Sequence, residues 1–497
     1  MNQNNISAAE LFLRVRELLI LPELEPKTRN KMMHDTLILC CHEGVKETKQ
    51  AFGNLFSQVD YLCKAHGIKV ADKIAIQTMR RHSNSQEPLS SEDLKYDARA
   101  LAIFISAVFG VDVPHELNML IPHTNRPYQK GLEINNRRIR CIVKNWDSDF
   151  IRVDIDQDAD EEEYLVQLKD EENHIDHTYL WDILKEGMQL NLLDCQVKQP
   201  VITPRLIVVE PDYLVDISSI ATCFTAFGHH PLLYLLNQMK PRANTQATLL
   251  GNFAGAALDD IINTNGKYQM NETIKTNFRE KALEFCTCPW FDAKKFYTDA
   301  NQQAFNLQQV VDILFPRTAS QAQMSAFRGE SLYDRKKAIL EPSFVCEALG
   351  IQGRVDLMTT DCKLLVEQKS GRNMNIETHQ VDPGYHSYQL EPHYVQLLLY
   401  YGVLQHNFKL SNDRVNIRLL YSKYQPQDGL MVVAYYQKLF KEAIEYRNQL
   451  VAASFEIAKE GFEHALNEFT PDVLNVAGTQ DFFYNKYLKP QIEAITS

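Results

Sequence analysis

The chain has 497 residues, with 52 Lys and Arg against 64 Asp and Glu, a formal charge of −12, and 45% hydrophobic residues. That length exceeds what one hydrophobic core organises, so two to four domains are expected, and the apolar content excludes a disordered chain. No apolar run approaches the roughly 18 residues needed to cross a bilayer, and the acidic balance argues against a protein that coats nucleic acid over its whole surface.

The amino terminus, MNQNNISAAELFLRVREL, lacks the basic-then-apolar pattern of a secretory signal. The ten cysteines include close pairs only at Cys40/Cys41 and Cys286/Cys288. They read as cytoplasmic thiols, with neither a disulfide framework nor a zinc ribbon. Across residues 1–118, Leu11, Val15, Leu18 and Leu19, and later Leu101, Ile103, Phe104 and Val108, recur at helical spacing. The spacing predicts a helical domain, broken at residues 83–93 and free of any catalytic signature.

Residues 119–210 change character. Five β-rich runs, at 139–146, 150–156, 163–168, 188–198 and 204–210, with one short helix around TYLWDILKEG, predict a small OB-like β-barrel. Inside it, residues 154–176 hold eleven acids against one base, Lys169, so ten of the twelve excess negative charges lie there and the rest of the chain is nearly neutral. Asp154, Asp156 and Asp158 have calcium-loop spacing, but such a loop needs Gly at its sixth place and Glu at its twelfth. Ala159 and Leu165 stand there instead, so the stretch reads as a solvated acidic loop.

From 211 to 425 helices alternate with a few strands, the pattern of an α/β core. A helix is predicted at 245–264, with Leu250, Phe253, Ala257 and Ile261 on one face, followed by an irregular aromatic-rich region to about 335. Residues 426–497 read as a strand and a long amphipathic helix that forms a tail on that core.

The chemistry lies in GIQGRVDLMTTDCKLLVEQKSG, residues 350–371. GRVDLM and KLLVEQK flank the turn-prone TTDC and predict a hairpin. Glu367 and Lys369, two apart, project from one strand face, and Asp356 on the neighbouring strand can converge with Glu367. Two carboxylates suit Mg²⁺ or Mn²⁺, and the lysine suits the attacking water of a phosphodiesterase. The strand LLVEQK is otherwise apolar, so charges at its end need partners. In EPHYVQLLLYYGVL, Gln396 and Tyr400 share a helix face, with Gln396 in reach of the lysine and Tyr400 of a DNA phosphate.

These runs resemble motifs II and III and the Gln-x-x-x-Tyr motif of the RecB-like branch of the PD-(D/E)xK nucleases. LIVVEPDYLVDISSIATCF, LLGNFAGAALDDII, LEPSFVCEALGIQGRVDLM and AIEYRNQLV follow in the order found in the DNA replication ATP-dependent helicase/nuclease family, over about half the chain. The resemblance implies that Asp356 and Glu367 bind the metal and that Lys369 is catalytic. Glu341 would support the site, Gln396 and Tyr400 complete it, and Ser370 and Arg372 contact the DNA backbone.

Two departures stand out. The metal-helix His of the family is replaced by Gly255, which cannot ligate, so either the remaining carboxylates and water hold the metal or Asp259, one turn on along the same face, substitutes. Cys223 lies near the first cysteine of the family's 4Fe-4S cluster, but no cysteine follows Cys362, so no cluster is expected and Cys223 reads as a buried thiol. No phosphate-loop motif occurs.

The expected protein is therefore a multidomain α+β, Mg²⁺- or Mn²⁺-dependent deoxyribonuclease acting as exonuclease or endonuclease on single-stranded ends or flaps in DNA repair or replication. It would be either a stand-alone nuclease or the amino-terminal part of a longer helicase-nuclease whose motor is its partner. The alternative is a non-cleaving single-stranded DNA-binding module serving such a motor.

Overall fold

The computed structural model describes residues 6–21, 23–126, 132–155, 163–225, 228–239, 244–381, 387–410, 414–461, 489–490 and 493. The protein is mixed α+β, with a closed five-stranded barrel and a six-stranded sheet. The seven acidic-loop positions 156–162 and most of the tail beyond 461 lie outside the described residues.

The amino-terminal unit is built from α1 (Ala8–Ile20), α2 (Pro26–Gly44), α3 (Leu55–Ala65), α4 (Val70–Asn84) and α5 (Ser91–Phe109). Ser7 and Ser90 cap α1 and α5 with Glu10 and Asp93 at the third helical position, satisfying otherwise orphaned N–H groups. Leu11, Val15, Met33, Leu37 and Leu101 are fully buried in one core. The unit is not self-contained, because β1 (Ala51–Phe52), between α2 and α3, pairs with a strand nearly 400 residues away.

The barrel strands are β2 (Asn136–Trp146), β3 (Phe150–Ile155), β4 (Tyr164–Gln167), β5 (Gln189–Lys198) and β6 (Val201–Val209), closed in the order β2-β3-β4-β6-β5. All neighbours are antiparallel except β4 and β6. Ile151, Val153, Val166, Leu190, Leu192 and Ile207 fill the interior, as alternation requires. The short helix after β4 is one 3₁₀ stretch, Thr178–Asp182.

Next come β7 (Val215–Asp216), α6 (Gln246–Asn263) and α7 (Ala293–Leu314). The stretch to residue 335, expected to be irregular, is instead largely helical: 270–280, 282–286, α7 and 319–327. In α7 the apolar row Phe296, Ala300, Ala304, Leu307, Val311 and Leu314 faces the core, but the run of polar amides between them hides the period.

The remaining elements are β8 (Ala338–Leu340), β9 (Ser343–Cys346), β10 (Ile351–Arg354), β11 (Leu357–Thr359), β12 (Leu364–Lys369), α8 (Glu391–Phe408), β13 (Asn416–Tyr421), β14 (Leu430–Val432) and α9 (Gln437–Glu460). The six-stranded sheet runs β1-β14-β13-β12-β11-β8, with β12 and β13 parallel and joined over α8. Because α8 lies between the sheet and α9, Leu397, Leu398, Leu399 and Val403 are all fully buried, which is why its sequence is apolar on nearly every side. Arg447 of α9 donates to the carbonyls of Gly350, Glu210 and Tyr213 at 3.1, 2.9 and 2.6 Å and to that of Val209. Asn448 meets the N–H of Val209 and the carbonyl of Ile207. These two residues bind the barrel's last strand to the core.

Candidate active site

The hairpin expected between GRVDLM (353–358) and KLLVEQK (363–369) is present, with Leu357 opposite Val366 and Met358 opposite Leu365. GRVDLM is not one strand, however. It breaks at Val355–Asp356, where the chain passes from the three-stranded sheet β9-β10-β7 to the six-stranded one. Glu341 lies opposite this break, its N–H donating to the Asp356 carbonyl at 3.0 Å, and adopts φ +48°. Left-handed backbone is costly for a residue with a side chain, and such strain concentrates where a bend must aim functional groups. The bend brings the Asp356 carboxylate to the end of β12.

On β12, Lys369 Nζ donates to Glu367 Oε1 at 2.8 Å and to Gln396 Oε1 at 2.8 Å. Glu367 is only 2% exposed and its Oε2 has no hydrogen-bond partner. Burial, then the Asp356 charge, push its carboxyl up to about 8 against the pull of Lys369. Asp356 Oδ2 accepts the Gln368 N–H at 2.6 Å, and burial raises its carboxyl while that bond and Lys369 lower it. Asp259 on α6 is held up to about 7 by burial and by Glu341 and Asp356. Glu341 pairs with Arg354 at 3.0 Å. Glu341 and Asp356 thus disfavour ionisation of Asp259, Glu341 does the same to Asp356, and Asp356 does the same to Glu367.

Gly251, Gly255, Asp356, Gln368, Lys369, Ser370, Gly371 and His393 border an open cleft of about 210 Å³. A Cβ at Gly251 would meet Ser370 Oγ at 3.2 Å, whereas one at Gly255 would meet nothing within 4 Å. The glycine face of α6 therefore forms a bare wall opposite the end of β12. Ser370 borders the cleft, with its carbonyl held by Gln303 Nε2 at 2.9 Å.

Two expected DNA contacts stand differently. Tyr400 is 3% exposed, and its hydroxyl donates to the Arg354 carbonyl at 2.7 Å, so it braces the hairpin rather than facing a phosphate. Gly353 permits this, since a Cβ there would meet the Tyr400 ring at 2.9 Å. Arg372 is exposed and paired with Glu377, which also accepts from Lys423 and Tyr424. Its charge is shared inside the protein. Cys223 is a fully buried thiol, raised by burial.

Three contributors escaped the sequence reading. His393, one turn before Gln396 on α8, borders the cleft with its Nδ1 3.1 Å from the Tyr421 hydroxyl, and burial and Lys369 pull it down to about 3. Its spacing from Gln396 was the available signal. Gln303 and Asn306 reach from α7 to the carbonyls of Ser370 and Ser422, at 2.9 Å each, at the ends of β12 and β13.

No protein-family model matches the chain, and no curated protein matches it.

Proposed function

We propose that the protein is a Mg²⁺- or Mn²⁺-dependent deoxyribonuclease of the RecB-like PD-(D/E)xK type, with an OB-like barrel packed beside its core. The observation that carries this reading is the buried chain Glu367–Lys369–Gln396, in which Glu367 keeps one oxygen unpartnered next to Asp356. A buried carboxylate oxygen without a donor is costly, and carboxyls whose ionisation is opposed by neighbouring carboxylates, as at Asp259, Asp356 and Glu367, favour a divalent cation. Asp356 and Glu367, with Asp259 across the cleft, fit a hard oxygen-seeking ion that keeps several waters. The strand order of the barrel, with its single parallel β4–β6 pair, supports the OB-like reading.

Bound there, the ion would supply charge neutralisation at the scissile phosphate. The chain's own groups do the rest. Lys369, fixed between Glu367 and Gln396, orients the attacking water beside the phosphodiester. Water oxygen bonds to phosphorus as it gives up a proton, the bond to the 3′ oxygen breaks and that oxygen takes up a proton, leaving a 3′-hydroxyl and a 5′-phosphate. Gln396 keeps the lysine from folding back onto Glu367 alone, and Tyr400 fixes the hairpin carrying Asp356. Single-stranded ends or flaps are the fitting substrates, and a helicase motor, in the same longer protein or separate, is the fitting partner.

Lys369→Ala and Glu367→Gln are expected to lower Mn²⁺-dependent cutting of end-labelled single strands by about 10²–10⁴ without loss of helical circular dichroism. Undiminished cutting by both variants refutes the reading. One observation favours a second reading, a non-cleaving DNA-binding module: among the described residues no three His, Cys, Asp or Glu side chains already form a metal cage, and Gly255 adds no ligand. Its signature is salt-sensitive single-strand binding with no cutting in any divalent metal.

A further inference from the structure

A second cleft, of about 1950 Å³, opens where α4 and α5, the barrel strands β2, β5 and β6, and the facing ends of α8 and α9 meet. It contains none of the carboxylates described above. Gln405, on its α8 wall, lies nine residues past Gln396, roughly 14 Å along the helix axis at about 1.5 Å per residue.

Its charge is opposite to that of the chain. Nine Arg and Lys border it against four acids, Asp93, Asp97, Glu172 and Asp194, leaving five excess positive charges in a protein of net −12. Arg126 and Arg137 are paired with Asp93 and Asp194. The other acid beside the helical unit, Asp97, is engaged by His82 and Asn30. Arg80, Arg138, Arg205, Lys409, Lys438 and Lys441 line the cleft with no carboxylate at ion-pair distance among the described residues. Burial lowers the pKa of both Arg80 and Lys441, the second helped by Arg205 and opposed by Glu445 one turn further along α9.

Half-buried rings interleave with these charges. Tyr435, packed against Tyr401 and Phe440 at 4.9 and 5.8 Å, and Tyr436, edge-on to Phe56 at 5.7 Å, stand just before α9 beside Lys438 and border the cleft, and Tyr96 lies beneath the Arg126 guanidinium at 5.4 Å. Positive charge that follows a groove, with aromatic faces for stacking, is the chemistry of single-strand binding without sequence preference. An acidic peptide would use the charges but leave the rings idle.

We propose that this cleft is a single-stranded nucleic-acid binding site, separate from the carboxylate cleft, that holds the strand through its phosphates and stacks its bases on Tyr435 and Tyr436. The helical unit, which carries no catalytic group, thereby gains a role as one wall of the track.

The test measures binding alone, in EDTA, by fluorescence anisotropy of a labelled oligothymidylate of about 20 nucleotides, longer than one OB-type site. Failure of the nuclease reading leaves this measurement untouched, and failure here leaves cutting of short strands untouched. Arg138→Glu with Lys438→Glu, both exposed positions, is expected to weaken binding at least about tenfold and to flatten the dependence of log K on log salt by about 1.4, two contacts at about 0.7 each. Lys267→Glu, an exposed residue outside the cleft, is expected to bind as the unaltered protein does. Equal affinity of the double variant overturns the proposal. So does equal weakening by Lys267→Glu, equal binding of a duplex of the same length, or displacement by polyglutamate as effective as by unlabelled oligothymidylate.

Discussion

Glu367→Gln separates a metal site from a structural ion pair without any assay of cutting. Burial and Asp356 hold the Glu367 carboxyl up to about 8, against an ordinary value of 4.5, with Lys369 opposing. A carboxyl raised on folding binds its proton more tightly in the folded state. The metal-free protein should therefore lose stability as pH rises from about 4.5 to about 8. About three and a half units at about 1.36 kcal/mol each set a ceiling of about 5 kcal/mol at pH 8. The variant deprives Lys369 of its carboxylate, which costs about 1–3 kcal/mol, so a net gain on the order of 2–4 kcal/mol remains. Urea unfolding in EDTA should show the gap between variant and unaltered protein widening by about 2–3 kcal/mol from pH 6 to pH 8. Mg²⁺ at about 100 times its Kd should then stabilise the unaltered protein by about 2.7 kcal/mol and the variant far less. A gap that stays constant across this range, or equal stabilisation of both proteins by Mg²⁺, refutes the assignment.

Gly255→His meets no heavy atom within 4 Å of its Cβ and removes a helix-interior glycine, so stability should rise by a few tenths of a kcal/mol, about the propensity difference. Calorimetric Mn²⁺ affinity should rise with it, and an unchanged affinity would detach the α6 face from the metal. Gln303→Leu leaves the Ser370 carbonyl without its donor and should cost about 1–3 kcal/mol in denaturant unfolding, with a fall in kcat at unchanged KM as the Lys369 strand end loosens. Arg447→Ala removes a fully buried guanidinium that holds four carbonyls of the barrel–core junction. Unfolding followed in the barrel should show a loss of about 3–5 kcal/mol, and a loss below about 1 kcal/mol would show that the junction is held elsewhere.

What was legible in the sequence is local. Alternation placed all five barrel strands, since each run faces one interior. The apolar run closing in Glu-Gln-Lys located β12 and its charged end, because a buried strand cannot end in charges without partners. What was not legible depends on residues distant in the chain. Ala51–Phe52 is a strand only because β14 offers it an edge. The break at Asp356 exists because β10 and β11 belong to different sheets, a fact set by β7 and β12 rather than by any neighbour in sequence. Amide residues made α7 look irregular, yet two of those amides hold the ends of β12 and β13. Tyr400 was assigned to substrate from its helix face, and the same face turned out to point at the hairpin backbone.

The net charge of −12 illustrates how poorly a sum describes a surface. Charges separated by more than about 8 Å of salt solution hardly feel one another at physiological ionic strength. A phosphate in the interdomain cleft therefore responds to the cations around it rather than to acids elsewhere on the molecule. The acidic stretch 154–176 enters this balance in two ways. Asp154 pairs with Lys144 and Glu171 with Lys169, so those charges are met locally. Glu172, in contrast, borders the cleft itself. Removing that one carboxylate, by Glu172→Gln, should tighten single-strand binding in EDTA, and the gain should fade as salt rises. Glu171→Gln, outside the cleft, should change nothing. If both substitutions tighten binding equally, the stretch acts through its overall charge, and the short screening length on which the local argument depends does not govern this surface.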